Sequence, residues 1–177
     1  MELPNKRYRI IYADPAWSYD DKSLNRGGAA RHYATMSEIE ICNLAIKEIA
    51  EKEAVLFIWT TFPKLQESLN VIKAWGFDYK TCAFVWVKEN KKSKSWFWGM
   101  GRWTRSNAEI VLLATCGGGV KRMSASVHQI IQAPVGRHSE KPTIVRDKIV
   151  ELVGDLPRIE LFARQRATGW DSWGDQL

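Results

Sequence analysis

The chain is predicted to be an α/β protein in which helices cover both faces of a central sheet. Apolar runs of strand length alternate along its 177 residues with segments whose apolar side chains recur at helical spacing. Signals that begin or end a helix separate the two kinds of segment: residues 37–40 spell a capping box, and Gly76 follows a helical segment. Such alternation is typical of layered α/β sheets. With no internal repeat and no second apolar core, the sequence predicts one domain over residues 1–177, without a separate target-recognition domain.

Six short, predominantly apolar runs are predicted to be strands. They are residues 8–13, 54–59, 82–87, 109–115, 128–133 and 158–163. In layered α/β sheets, ligands collect beyond the carboxyl ends of the strands, so polar residues at those ends predict the site. Four residues meet that description: Asp14, Thr60, Lys88 and Arg164.

Three helices are predicted between the strands. Residues 37–49 follow the capping box with apolar residues near helical period, and residues 63–75 repeat that spacing before Gly76. Pro142 suits the first turn of the third helix, whose apolar face runs from Ile144 to Val153. The glycine fingerprint of an ordinary dinucleotide site, G-x-G-x-x-G, is missing, which argues against such a site.

Composition and charge narrow the class of protein. The formal net charge of +6 favours an anionic partner. Three widely spaced cysteines without a CxxC pair argue against a disulfide framework or a zinc site, and favour a reducing, cytoplasmic location. No apolar run approaches the roughly 18 residues of a membrane span, so no membrane partner is expected.

The segment Tyr-Ala-Asp-Pro-Ala-Trp at residues 12–17 carries a possible chemistry, because it directly follows a predicted strand. Asp14 can accept one hydrogen bond from an exocyclic amine, and the backbone carbonyl of Pro15 can accept another. Proline fixes the turn and donates no N–H of its own. Trp17 offers a face for stacking. The alternative is a strand that ends in an Asp-Pro turn, with Trp17 in the core.

Four stretches in order carry a resemblance that covers residues 8–177. They are Ala-Asp-Pro-Ala-Trp at 13–17, Tyr-Ala-Thr-Met-Ser at 33–37, His-Ser-Glu-Lys-Pro at 138–142 and Arg-Ile-Glu-Leu-Phe-Ala-Arg at 158–164. The set resembles the DPPW-type adenine-N6 methyltransferase family, named for the seventy-kilodalton subunit of the eukaryotic mRNA adenosine methyltransferase. The resemblance implies a circularly permuted Rossmann-like fold, with the tetrad strand first and the donor-binding strand last. It also implies S-adenosylmethionine as methyl donor and no metal.

The family's roles are carried over to the matching positions. The catalytic tetrad corresponds to Asp14, Pro15, Ala16 and Trp17, with Ala16 in place of a second proline. Donor contacts are expected from Asp14, Lys141, Arg164, Arg166, Asp175 and Gln176, although Arg166 stands where the eukaryotic enzymes have histidine. Without the resemblance, Lys141 would be read as a solvated residue at a helix start, and Arg164 as a cap at a strand end. Asp175 and Gln176 would be read as part of a frayed C-terminal tail.

The predicted loop of residues 88–107 is basic and aromatic, as expected of a surface that holds an extruded base. Its expected substrate contacts are Lys88, Lys91, Lys92, Lys94, Trp96, Trp98, Arg102, Trp103 and Arg105. Trp17, Tyr33 and Trp59 are expected to border the target base. The alternative is a solvated loop whose tryptophans fold onto the body, with Trp59 in the core.

The sequence thus predicts a methyltransferase that modifies the N6 amine of adenine in DNA, with the target adenine flipped out of any duplex. Methylation of RNA is the first alternative, which compactness and the lack of an accessory RNA-binding segment disfavour. A non-catalytic nucleic-acid-binding subunit is the second, but such family members lose the tetrad's acid, which Asp14 retains. Methylation of a protein amide is the third alternative. Enzymes with that activity usually have Asn at the position of Asp14, and the basic aromatic loop argues against it. A homodimer is plausible because the eukaryotic relatives work in pairs.

Overall fold

The apolar runs assemble into one sheet in a computed structural model that describes residues 2–18, 35–101, 103–136, 140–175 and 177. The sheet has the strand order β5-β3-β4-β2-β1-β6-β7. Its strands are β1 (Tyr8–Ala13), β2 (Ala50–Thr60), β3 (Asp78–Glu89), β4 (Ala108–Cys116), β5 (Ile130–Pro134), β6 (Arg158–Leu161) and β7 (Asp171–Trp173). All six predicted strands are therefore present, and β2 and β3 are longer than expected.

Strand direction decides which residues meet at the functional edge. β1 runs parallel to β2 and β6, β6 runs parallel to β7, and β3 runs parallel to β5. β4 is antiparallel to both of its neighbours, β2 and β3. The start of β4 therefore lies at the same edge as the carboxyl ends of the other six strands. Glu109, its second residue, joins the polar residues at that edge.

Helices pack on both faces of the sheet, as the alternation of segments predicts. They are α1 (Glu38–Cys42), α2 (Ile46–Ile49), α3 (Leu65–Ala74) and α4 (Ile144–Val153), with a 3₁₀ turn at Phe62–Lys64 before α3. One core contains residues of α1, α2 and α3, and the core on the opposite face contains residues of α4. Ser37 caps α1 through the expected capping box with Glu40. Gly76 follows α3 at a φ of +83°, where glycine is favoured.

Three elements differ from the sequence-based expectation. The helix predicted over residues 37–49 is two short helices, and the break at residues 43–45 lets Ile41 and Ile46 both be fully buried. β7 was not predicted, because three residues are too few to show a periodicity. β6 ends at Leu161, before the predicted residue 163, because the next residue, Phe162, has a φ of 60°. Within the described residues, no helix has the length and apolarity needed to cross a membrane.

A buried ion pair joins α4 to the sheet. Arg146 donates two hydrogen bonds to the Glu160 carboxylate, at 2.6 and 2.8 Å. Glu160 is only 7% exposed, and burial raises its pKa while Arg146 opposes that rise. A two-bond contact between a guanidinium and a carboxylate is geometrically specific. The pair therefore fixes α4 against β6 at a point close to the functional edge.

Replacing Arg146 with Met should destabilise the protein, because the Glu160 carboxylate would stay buried without its partner. Breaking a buried pair from one side costs about 3–5 kcal/mol. Urea unfolding at pH 7 measures this loss. A carboxyl whose folded pKa lies above its unfolded value disfavours folding increasingly as the pH rises through that range. The variant should therefore regain part of its stability at lower pH, where Glu160 is protonated.

Two variants control for this prediction. The double change Arg146→Met with Glu160→Met removes both charges and should restore much of the lost stability. Lys148→Met, on the same helix, breaks only an exposed pair with Glu151 and should change stability by about 1 kcal/mol or less. Wild-type stability of the Arg146 variant at neutral pH would contradict the prediction.

Candidate active site

Asp14 lies directly after β1, near the middle of the carboxyl edge of the sheet. The backbone of the tetrad is held by its own turn, since the Trp17 N–H donates to the Pro15 carbonyl at 2.8 Å. Met36 donates its N–H to the Ala16 carbonyl, also at 2.8 Å, which ties the turn to the segment before α1. A carbonyl oxygen has two lone pairs, so Pro15 retains the capacity to accept a second hydrogen bond.

Asp14 is the end of a chain of alternating charges at this edge. Lys141 Nζ lies 2.9 Å from the Asp14 carboxylate and 3.5 Å from Glu109 Oε2. The other oxygen of Glu109 accepts a hydrogen bond from Lys88 Nζ at 2.5 Å. All four side chains are at most 20% exposed. Two carboxylates and two ammonium groups thus share a partly desolvated site, in which each charge has an opposite neighbour.

The two carboxylates of this chain have different acidities. Burial raises the pKa of Asp14 above its ordinary value, and Lys141 only partly opposes that effect. Burial also acts on Glu109, but Lys141 and Lys88 outweigh it, so the pKa of Glu109 lies below its ordinary value. Glu109 is therefore the more firmly ionised of the two. Asp14 is the better proton acceptor.

Two buried tryptophans pack against the residues of the site. Trp17 is 6% exposed and donates its indole N–H to the Trp59 carbonyl at 3.3 Å. Trp59 is 1% exposed and donates to the Tyr12 hydroxyl at 2.5 Å. Lys141 Nζ lies 5.6 Å from the centroid of the Trp59 ring, within the range of a cation–π contact.

Both tryptophans match the alternative in which their rings are packed in the core, and their expected place beside the target base stays a prediction. Both rings are buried by the packing of β1, β2 and the tetrad turn, so neither surface is open to a ligand in this structure. Trp17 instead packs under the turn that presents Asp14, and Trp59 supports the ammonium group of Lys141.

One side of Asp14 is formed by the ends of β6 and β7. Phe162 ends β6 with a φ of 60°, a conformation that costs a bulky residue about 1–3 kcal/mol. Its ring packs edge-on against Trp173 with centroids 5.5 Å apart. A Cβ on Gly174 would come within 2.2 Å of the Ala163 carbonyl oxygen, so only glycine allows this close approach of the two chain segments.

The predicted donor residues occupy the same side. Arg164 follows β6 and is partly buried, and its charge is among those that oppose the burial-driven rise in the pKa of Asp14. Arg166 and Asp175 are exposed, with Asp175 directly after Gly174. Lys141 contacts Asp14 and Glu109, so its expected contact with a donor carboxylate stays a prediction. Gln176, Tyr33 and Arg102 lie outside the described residues, as do the first two residues of the stretch at 138–142.

The other side of Asp14 is formed by the ends of β2 and β3 and by the basic loop, which begins after Glu89. Two hydrogen bonds connect segments of this loop. The Gly99 N–H donates to the Ser106 carbonyl at 2.9 Å, and the side chain of Arg105 donates from Nε to the Gly99 carbonyl at 2.9 Å. Lys91, Lys92 and Lys94 are exposed. Lys88 is instead partly buried and paired with Glu109.

The loop tryptophans do not fold into the core. Trp96 and Trp98 are about half exposed, with ring centroids 5.9 Å apart, and Trp103 is 95% exposed. This excludes the alternative in which all three pack onto the body. It also distinguishes them from Trp17 and Trp59, for which the sequence left a core position open and whose rings are buried.

Glu109 is the site residue that sequence reasoning missed. It lies at the start of a predicted strand, whereas the site was predicted from polar residues at the carboxyl ends of strands. The signal in the sequence was an acidic residue before an otherwise apolar run, Ile110 to Leu113. Its importance follows only from the antiparallel direction of β4. Among the described residues, no group of three or more His, Cys, Asp or Glu side chains could hold a metal ion.

Comparison with known proteins gives the class to which this fold and edge belong. The model of the MT-A70 family matches residues 8–176, so the chain belongs to the MT-A70 family of methyltransferases. It is 38% identical over 194 aligned residues to the type II methyltransferase M.MunI of Mycoplasma sp, covering 99% of this chain and 80% of that protein. It is 25% identical over 186 residues to the human N(6)-adenine-specific methyltransferase METTL4, covering 97% of this chain and 38% of that protein.

Replacing Lys141 with Met should move the pH dependence of methyl transfer. Burial of Asp14 would remain while the largest opposing charge is lost, so the pKa of Asp14 should rise further. A reaction that requires the Asp14 carboxylate would then lose rate at a higher pH on the acidic side. The pH profile of kcat/KM measures this, because that ratio reports groups of the free enzyme. Lys148→Met serves as the control, and an unmoved acidic limb in the Lys141 variant would contradict the coupling.

Proposed function

We propose that this protein transfers a methyl group from S-adenosylmethionine to the N6 amine of adenine in DNA. The observation that carries the proposal is the pair of acceptors at the end of β1, the Asp14 carboxylate and the Pro15 carbonyl. They stand between a half-site suited to a donor and a half-site suited to a nucleic acid. Family membership supports the class of reaction. The similarity to METTL4, an N(6)-adenine-specific methyltransferase, supports the choice of the amine.

The two acceptors match what the amine needs. The lone pair of an adenine amine is delocalised into the ring, so the amine is a poor nucleophile and its orientation matters. Asp14 and the Pro15 carbonyl would each accept one N–H, which directs the nitrogen toward the methyl group. Alignment of two reactants can contribute several kcal/mol. Fixed acceptors also stabilise the positive charge that develops on the nitrogen.

The charge chain prepares Asp14 for two tasks. Lys141 favours the ionised carboxylate, which can accept a hydrogen bond from the amine. Burial keeps the pKa of Asp14 above its ordinary value, so the carboxylate is also a suitable acceptor for the proton that the methylated amine releases. Lys141 holds that carboxylate in place, and Lys141 is itself held by its contact with Glu109.

The ends of β6 and β7 fit the donor by their chemistry. S-adenosylmethionine supplies an activated methyl group on a sulfonium and carries a carboxylate, an ammonium group and a ribose diol. Lys141 is the candidate for the carboxylate, Arg164 for the ribose side, and Asp175 for the adenosine. The close approach of Gly174 to Ala163 and the strained backbone of Phe162 build a shaped turn there, as expected of a ligand site.

The basic loop fits a nucleic acid. Its exposed lysines can contact phosphates, and its exposed tryptophans can stack on unpaired bases. DNA is proposed as the substrate, which the similarity to the type II methyltransferase M.MunI supports, with RNA as the alternative. Incubation with labelled S-adenosylmethionine and matched DNA and RNA, followed by digestion to nucleosides, tests both. N6-methyldeoxyadenosine is the expected product. No methylated nucleoside from either polymer would refute the proposal.

Asp14→Ala should abolish methyl transfer while it leaves the fold and most donor binding intact, because the amine loses its charged acceptor. Asp14→Asn should keep a little activity, since the amide oxygen still accepts one hydrogen bond. Product formation measured beside donor binding by calorimetry separates the two effects. Wild-type turnover by the alanine variant would remove Asp14 from the mechanism.

Replacing Lys91, Lys92 and Lys94 together with alanine should weaken nucleic-acid binding and its dependence on salt. The slope of log affinity against log salt should fall by up to about 2.7 on duplex DNA, because each phosphate contact contributes about 0.9. Binding titrations at several salt concentrations measure it. The exposed residues Lys47, Lys52 and Lys73 provide a control triple with the same charge change. Equal slopes for the two triples would exclude the loop as the phosphate contact.

A further inference from the structure

A cleft of about 580 Å³ lies beside the charge chain, between the β2–α3 connection and the basic loop. Its volume falls in the range of small-molecule sites in proteins. Residues from both segments line it, including Thr61, Phe62, Pro63, Lys88, Trp103 and Glu109. The first three belong to no segment to which the family resemblance assigns a role.

The walls of the cleft are aromatic and exposed. Phe62 is 57% exposed and Trp103 is 95% exposed, and they belong to the two different segments that line the cleft. Every nucleobase has a flat face, so aromatic side chains at a cleft are suited to hold an unpaired base by stacking. The exposed lysines of the same loop supply the charge that a nucleotide's phosphate would need.

The cleft also has polar lining residues that connect to Asp14 through Lys141. They include Lys88 and Glu109, which are hydrogen-bonded to each other, and Glu109 contacts Lys141, the partner of Asp14. The tetrad residues 14–17, which are all described, are not among the lining residues. A base in this cleft would therefore lie next to the amine held at Asp14, without occupying the same place. Lys88 and Glu109 would offer a cation and a carboxylate to the edge of that base.

We propose that this cleft holds the nucleotide next to the target adenine in the strand, with its base stacked on Phe62 and Trp103. The proposal rests on the proposed function for the identity of the target. Lys88 and Glu109 face the edge of the neighbouring base and contribute sequence preference, because a carboxylate accepts from exocyclic amines and a lysine donates to ring acceptors. The cleft thus gives a compact chain a way to select a sequence context.

The test is a double-mutant cycle in which one change is made in the protein and the other in the oligonucleotide. Single-stranded oligonucleotides containing one adenine carry an abasic position on one side of it, on the other side, or on neither. Phe62→Ala should weaken binding of the intact oligonucleotide about 5- to 100-fold, the range for one lost stacked base. An abasic position on one side should weaken wild-type binding at least as much, since it also removes the contact with Trp103. The two changes together should cost no more than that abasic position alone, because the base that Phe62 contacts is already missing.

Controls keep the result specific to the cleft. Phe62→Trp should retain binding, and the melting temperature of Phe62→Ala should stay near that of wild type because the ring is exposed. Tyr79→Ala removes another exposed aromatic, 48% exposed at the start of β3 and hence at the opposite edge, and should not change binding. Unchanged affinity in Phe62→Ala would overturn the proposal. So would a loss of affinity from Phe62→Ala that is just as large in the oligonucleotides with an abasic position on either side.

The same oligonucleotides distinguish this inference from the proposed function. Methylation of the intact oligonucleotide by the wild-type protein tests the function alone. If no adenine is methylated, the function fails, and the binding cycle still decides whether the cleft holds a base. If adenine is methylated but the cycle shows no coupling to Phe62, only the cleft assignment fails.

Discussion

The contact between Asp14 and Lys141, at 2.9 Å, is the interaction on which the geometry of the site depends. A carboxylate at the end of a central strand is partly desolvated, and burial alone would favour its neutral form. Lys141 lies 127 residues away in the sequence and reaches Asp14 from the start of α4. The site exists because the sheet brings these two segments together. The opposing effects of burial and charge leave Asp14 ionisable but more basic than an ordinary aspartate.

The antiparallel direction of β4 extends this pair into a longer arrangement. It places Glu109 among strand ends, where the carboxylate joins Lys141 to Lys88. The strand order then divides the edge at β1. The ends of β6 and β7 lie on one side, and the ends of β2 and β3 and the basic loop lie on the other. A donor and an acceptor bound on the two sides would approach one another at Asp14.

Helix α4 links the folding stability of the protein to the position of Lys141 beside Asp14. The segment that leads into it carries Lys141, and its first turns carry Arg146, so two ion pairs attach the same helix to the ends of β1 and β6. A change that shifts α4 would therefore move the partner of Asp14. The strained backbone of Phe162, at the end of β6, lies beside the same pair of strands. Strain there is sustained by packing against Trp173 and by the close contact of Gly174.

The sequence by itself determined the α/β class, the six longer strands and the capping box before α1. It also placed the candidate site residues Asp14 and Pro15 directly after the first strand. These follow from periodicity and from local order along the chain. Only the tertiary structure decided the direction of β4, the place of Glu109, and which tryptophans are buried. Trp59 and Trp103 are equally apolar, yet one is 1% and the other 95% exposed. Burial and charge pairing depend on neighbours distant in the sequence, which a local pattern does not record.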